Sequence, residues 1–349
     1  MHIPPDTIHK ILIIRMSSIG DVVLTAPVVR QLRERYPAAQ IDFLIRREYA
    51  ELVRYNPHIS RVIELDTREG RQGLHRMKGY IRESRYDVIL DLHRNLRSRY
   101  VCQGAGFPRV LKLRKNQLIR FLLVHFKINR YPNPPLSVAE KYLRAALPLG
   151  IDPSDTRLEI FLPVEIQQEG QERWQAFRRR GMGVVVAPGA RHFTKRWLPE
   201  YYRKLIERIH HNYGWGAVLV GGPEEAALCR EICHGLPEDV CTSVAGELSL
   251  LQTAAILREA PLFISNDSGL MHIVAAYQKP QIAIFGSTVR ELGFFPLNPR
   301  AIVLENSTLA CRPCSHIGRA ACPKGHFNCM KEITPGKVMA AVESIVRKF

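Results

Sequence analysis

At 349 residues the chain is longer than one hydrophobic core usually supports, so two domains of roughly 150 to 180 residues are expected. Hydrophobic residues make up 46% of it, as in an ordinary globular protein, and its apolar stretches are broken by charge well before the ~18 residues of a membrane span. The net charge of +17 favours polyanionic partners, namely nucleic acid, anionic lipid or phosphorylated substrates.

In chain order, residues 1–10 lack the apolar core of a signal peptide, so a cytosolic protein is expected. Eight cysteines in such a chain argue for reduced thiols or a metal site over a disulfide framework. Strand-like apolar runs at 10–15, 41–45, 62–65, 88–92 and 110–113 alternate with helical patterns, the first of them at 22–32. A polar helix is expected at 165–180, near a join. The rhythm then restarts with strands at 184–187, 217–220, 262–264, 282–285 and 302–304, and ends on a helix opened by Thr334-Pro335. Strands separated by helices predict two doubly wound parallel sheets, whose carboxyl ends would surround one cleft. The divisions are 1–170, 171–333, and a terminal helix, 334–349, that could pack back on the first domain.

The positive charge is concentrated in the first half. Arg94, Arg97 and Arg99 follow a strand, and Arg109, Lys112, Arg114, Lys115, Arg120, Lys127 and Arg130 surround the apolar, aromatic run 118–126. Basic residues flanking a short apolar helix suit an anionic membrane surface, whereas a buried helix with solvated basic ends is the plainer alternative. Nucleic acid is disfavoured, because no helix-turn-helix, zinc-finger or ribonucleoprotein motif accompanies the charge.

Three loops carry candidate chemistry. Ser17-Ser18-Ile19-Gly20-Asp21 leaves the first strand without the glycine pattern of a dinucleotide site, offering two hydroxyls and a carboxylate; Asp21 could equally be a first-turn helix acid. Arg191, Lys195 and Arg196 follow Pro188-Gly189, suited to phosphates, with Trp197-Leu198-Pro199 pinning the loop. Asn266-Asp267-Ser268-Gly269 lies between a strand and a helix, where free N–H groups and the helix dipole favour an anion; Asp267 or Ser268 acting only as a helix cap is the alternative.

Together, Ser-Ser-Ile-Gly-Asp with Val-Val-Leu-Thr-Ala-Pro, Lys-Arg-Trp, and Asn-Asp-Ser-Gly-Leu-Met-His-Ile-Val-Ala-Ala resemble the heptosyltransferases of glycosyltransferase family nine, over nearly the whole chain and in the family's order. The resemblance implies the two-domain, Rossmann-like glycosyltransferase B fold. It also implies an ADP-L-glycero-D-manno-heptose donor held by the C-terminal domain, and the lipid A-linked lipopolysaccharide inner core as acceptor at the N-terminal domain. Inversion without a metal or other cofactor follows from it, as does a cytoplasmic enzyme peripheral on the inner face of the membrane. The cysteine-rich ending resembles the branch that adds the second heptose.

Residue by residue, the resemblance makes Asp21 the base and puts Lys195 on the donor phosphates, above the Ser268 and Gly269 N–H groups. Ser17 and Ser18, with Gly20, reach phosphate from the opposite wall. Asp267 orients donor hydroxyls or its own loop, and Glu225, with Glu224 as the alternative one position earlier, takes the ribose. His272, one turn inside its helix, reads first as a structural hydrogen-bonding residue. Ala190 and Arg191 stand where first-heptose enzymes carry hydroxyl-rich residues. Arg94, Arg97 and Arg99 are the acceptor candidates. Cys311, Cys314, Cys322 and Cys329, with His316 and His326 among them, could hold zinc or an iron–sulfur centre, although the family chemistry needs none. Cys229, Cys233 and Cys241 read as small core or surface residues. A sugar-nucleotide epimerase of the same architecture and a non-catalytic basic membrane protein are the other readings.

Overall fold

The computed structural model describes residues 7–103 and 109–348. Residues 1–6, part of the stretch weighed as a signal peptide, lie outside them. The chain divides into two compact units, Met1–Lys115 with Leu136–Phe161, and Asn116–Pro135 with Leu162–Phe349.

The first unit is built on β1 (Lys10–Ile14), β2 (Gln40–Arg46), β3 (Arg61–Leu65), β4 (Val88–Asp91) and β5 (Arg109–Lys112), all parallel in the order β3-β2-β1-β4-β5. Ile11 to Ile14 are wholly buried, as expected of a central parallel strand covered on both faces. Strand order reverses between β1 and β4, which opens a crevice beyond their carboxyl ends. The helical run expected at 22–32 is broken into Ile19–Val23 and Ala26–Arg35. Pro27 has no N–H to continue the first helix, and the Thr25 hydroxyl closes the break by donating to the Val22 carbonyl at 2.7 Å.

The second unit holds β6 (Met182–Ala187), β7 (Gly216–Leu219), β8 (Cys241–Ser243), β9 (Phe263–Asn266), β10 (Gln281–Phe285) and β11 (Ala301–Glu305), parallel in the order β11-β10-β9-β6-β7-β8. Here the reversal falls between β6 and β9. Three residues at the sheet edge give β8 no periodic signal, and the sequence pattern misses it.

Three expectations need correcting. The terminal helix, Pro335–Val346, belongs to the second unit: Val338, Met339, Val342 and Ile345 join the core that contains Tyr202 and Ile206 of the helix Pro199–Tyr213. That neighbour offers the apolar face its own apolar stripe needs. The run 118–126 also lies in the second unit, as a helix (Gln117–Phe121) continuing with π geometry (Leu122–Phe126). It is anchored by buried Leu123 and Val124 and by the Lys127 ammonium, which donates to the Cys311 and Pro313 carbonyls at 3.1 and 2.6 Å. Finally, Cys233 and Cys241 are not separate small residues but a disulfide. The turn between a helix end and β8 brings their Cα atoms to 5.4 Å, within disulfide range.

Candidate active site

In the first unit β1 delivers its last charge directly into the crevice. Arg15 follows Ile14, and its guanidinium reaches the Asp21 carboxylate at 2.7 Å through Nη2 while Nη1 donates to the Leu92 carbonyl, beyond β4, at 2.8 Å. Asp21 sits in the first turn of the helix Ile19–Val23. Its Oδ1 also accepts from the Tyr142 hydroxyl at 3.1 Å, and its Oδ2 from the Ser18 hydroxyl at 2.9 Å. Burial alone would raise the carboxyl's pKa, but Arg15, Ser18 and Tyr142 outweigh it and hold Asp21 below the ordinary value, so the group is a fixed anion. The Asp21 side chain is still 17% exposed, enough to meet a ligand. Gly20 is buried beside it, Ser17 half-buried and Ser18 exposed.

The loop after β4 is equally held. Buried Asp91 accepts the His93 and Arg94 N–H groups at 3.1 and 2.7 Å and the Ser98 hydroxyl at 2.9 Å. The Lys115 ammonium donates to the His93 and Arg94 carbonyls at 2.9 and 2.8 Å. Arg94 adopts a positive φ of 46° and donates its Nη1 to the Leu113 carbonyl at 2.6 Å. Arg94, Lys115 and Lys127 therefore stabilise backbone carbonyls, and the basic run presents fewer free cations than its sequence suggests. Arg97 and Arg99 are exposed on the helix Leu96–Cys102.

In the second unit the loops leaving β6 and β9 converge. The Lys195 ammonium lies 2.7 Å from Asp267 Oδ2, which also accepts from the Thr288 hydroxyl at 2.6 Å. Asn266 ties the strand ends together: its Oδ1 accepts from the Trp197 N–H and the Tyr202 hydroxyl, both at 3.0 Å, and its Nδ2 donates to the Pro188 carbonyl at 2.7 Å. Behind Thr288, buried Arg312 donates to the Thr288 carbonyl and pairs with Glu305, each at 2.7 Å. Ser268 opens the helix Gly269–Ala276, and its buried Oγ has no hydrogen-bond partner. Gly269 is the first helical residue. His272 is buried on that helix, edge-on to Phe294 with ring centroids 6.5 Å apart.

Glu225 lies against the ends of β6 and β7. It accepts the Gly222 N–H at 2.9 Å, and a Cβ at Gly189 would fall 2.0 Å from its Oε1, so that glycine makes room for the carboxylate. Burial pushes the Glu225 carboxyl above its ordinary pKa. Farther along, Cys311 Sγ is 3.8 Å from His326 Nε2, and burial pushes the Cys329 thiol up to about 12. Among the described residues no three His, Cys, Asp or Glu side chains are grouped to hold a metal ion, the four cysteines included.

A carboxylate held at one switch point and a lysine at another match what a sugar transfer from a nucleotide donor requires. The profile of glycosyltransferase family 9 (heptosyltransferase) covers residues 74–324. The chain belongs to this family. A lipooligosaccharide heptosyltransferase 2 of Haemophilus influenzae is 25% identical, with 97% of this chain and 100% of the relative aligned. A family 9 glycosyl transferase from Veillonella parvula has the same fold, with a TM-score of 0.81, 22% identity and coverage of 100% and 99% of the two chains. The structure of Escherichia coli ADP-heptose lps heptosyltransferase II aligns with a TM-score of 0.73, 24% identity and coverage of 97% and 99%. Both neighbours place the chain's two parallel sheets in the glycosyltransferase B class of α/β fold.

Within this family 9 chain, sequence reasoning singles out Asp21, Lys195 and Asp267 but misses Arg15, Tyr142 and Thr288, which hold them. The one available signal is for Arg15, a charge that directly extends an otherwise apolar strand.

Proposed function

We propose that this glycosyltransferase moves L-glycero-D-manno-heptose from ADP-heptose to the Kdo/heptose inner core of lipopolysaccharide, with inversion and without a metal ion. The first unit is the acceptor domain and the second the ADP-sugar domain. The acceptor hydroxyl attacks the anomeric carbon, the bond to the ADP oxygen breaks with its electron pair, and the proton passes to Asp21. The observation that carries the reading is the Asp21 carboxylate, kept ionised by Arg15, Ser18 and Tyr142 yet open to solvent. Lys195, the Ser268 hydroxyl and the helix start at Gly269 supply the positive and dipolar groups for the departing diphosphate, with Ser17 and Ser18 as further donors. Such groups do the work that a bound cation does in other transferases. Glu225 takes the ribose hydroxyls, its carboxylate accepting from them. Asp267 acts through Lys195, fixing the ammonium until phosphate replaces it, and His272 supports the helix. Arg97 and Arg99 face the anionic acceptor, while Arg94 shapes their loop. The alignment with a heptosyltransferase 2 supports addition of the second heptose. ADP released from ADP-heptose only when core acceptor is added, with a product one heptose heavier by mass spectrometry, is the expected result. ADP release independent of acceptor would refute it.

The acceptor is lipid-linked, and we infer that the enzyme meets it at the anionic inner face of the cytoplasmic membrane. No helix among the described residues is long and apolar enough to cross a bilayer. Leu118, Phe121 and Phe126 are 70%, 50% and 61% exposed on one short helix, near Arg120 and Arg130 in sequence, which suits partial insertion among anionic headgroups. Leu118→Ser with Phe121→Ser is expected to weaken binding to anionic vesicles by at least ~10-fold, each buried apolar side chain being worth ~1.5–3 kcal/mol. Sedimentation equal to wild type would remove this surface. Lys115 is unsuitable for such a test, because its ammonium holds the loop after β4.

A further inference from the structure

We propose that His93 is an acceptor-binding residue, whose imidazole hydrogen-bonds a hydroxyl of the acceptor sugar beside Asp21. The proposal rests on the assignment of the first unit as the acceptor domain and adds a residue to it. His93 is the second residue beyond β4, on the strand pair β1/β4 whose carboxyl ends form the crevice. Its backbone is fixed from both sides, the N–H by Asp91 at 3.1 Å and the carbonyl by Lys115 at 2.9 Å. Its neighbour Leu92 is bound by the same Arg15 guanidinium that holds Asp21. The His93 backbone is therefore held next to the carbonyl that shares the Arg15 guanidinium with Asp21, by bonded elements rather than on a free loop.

Asp21, Asp91 and Lys115 all have hydrogen-bond partners in this cluster, but Nδ1 of His93, like Nε of Arg15, is buried and makes no hydrogen bond. A buried unpaired nitrogen costs ~1–3 kcal/mol, and a half-turn of the half-buried ring about Cβ–Cγ would present it to a ligand hydroxyl that recovers this cost. Burial, together with the Arg15 and Lys115 charges, pushes the imidazole's pKa down to about 3. The ring is thus neutral throughout the working range and offers one N–H donor and one lone pair, the complement of a sugar hydroxyl. A neutral group also avoids adding a third cation beside Arg15 and Lys115.

The test separates acceptor from donor. In His93→Ala the KM for a soluble Kdo-containing core fragment is expected to rise ~5- to 30-fold with the KM for ADP-heptose unchanged. His93→Asn, whose amide places a polar atom near the Nδ1 position, should recover most of that loss. A purely structural residue would instead move both KM values and the melting temperature, without rescue by Asn. Calorimetric titration of the same fragment into wild type and His93→Ala gives the acceptor affinity without turnover. Equal affinities and equal acceptor KM values would overturn the role of His93. If wild type binds the fragment but transfers no heptose to it, the assigned reaction fails instead, while a His93-dependent affinity would still support the subsite.

Discussion

Both units place their charged groups where strand order reverses, yet they hold them differently. Asp21 is clamped by three donors from separate elements, a guanidinium at the end of β1, a hydroxyl at the helix start and a phenol from the helix Val138–Ala145. Among the described residues Lys195 has one charged partner, Asp267, on a loop fixed by Asn266 and Trp197. The first arrangement suits a group that must stay ionised and in one place while a proton reaches it. The second suits a cation that exchanges a carboxylate for a phosphate with little cost, because one anion replaces another.

The largest effect should come from the clamped side. Asp21→Asn keeps the shape but cannot take a proton, and transfer is expected to fall by a factor of ~10² to 10⁴, with ADP-heptose affinity by calorimetry nearly unchanged. Transfer at the wild-type rate would remove Asp21 from the mechanism and with it the contrast between the two sites.

On the exchangeable side, Lys195→Ala is expected to raise the KM for ADP-heptose and lower kcat together, because the ammonium stabilises the bound diphosphate and the departing ADP alike. A hydrogen bond to a charged group is worth ~1.5–3 kcal/mol, so kcat/KM should fall by ~10- to 100-fold. If both constants are unaltered, the Lys195–Asp267 pair is only a surface tie that closes a loop.

The same contrast explains what the sequence reveals. Apolar runs such as 10–15 and 262–264 mark strands, because a parallel strand buried on both faces must be continuously apolar. The loops bearing Asp21, Lys195 and Asp267 are visible because they interrupt those runs with polar residues at strand ends. The partners are not visible. Tyr142 lies 121 positions from Asp21 and sits in a helix whose buried aromatic reads as ordinary core. Thr288 reaches Asp267, and Arg312 reaches Thr288, through folding alone, and β8 with its Cys233–Cys241 bond carries no periodic signal. Charge counting misleads most in the basic run, because composition cannot tell a cation facing solvent from Lys115 or Lys127 bound to carbonyls.

Tyr142→Phe tests how redundant the clamp is, and its effect should be the smallest. The ring lies under the Arg15 guanidinium, 5.5 Å from ring centroid to Cζ, and phenylalanine keeps that contact while deleting the hydroxyl. Burial holds the Tyr142 phenol well above its ordinary pKa, so in wild type it donates to Asp21 at every working pH. Without it Asp21 keeps Arg15 and Ser18 but loses one of the bonds that lower its pKa, which must therefore rise. The acid limb of the rate profile should move to higher pH, while the rate near pH 7 falls only a few-fold, in keeping with ~1 kcal/mol for one neutral donor. Stability follows the same linkage. A depressed carboxyl pKa stabilises the fold above the unfolded group's ordinary value, and that stabilisation is lost as pH falls through the folded value. The mutant should therefore lose less stability than wild type on acidification from pH 5 downward, measured by urea unfolding. An acid limb and an acid stability profile both identical to wild type would mean that Arg15 and Ser18 alone set the charge of Asp21.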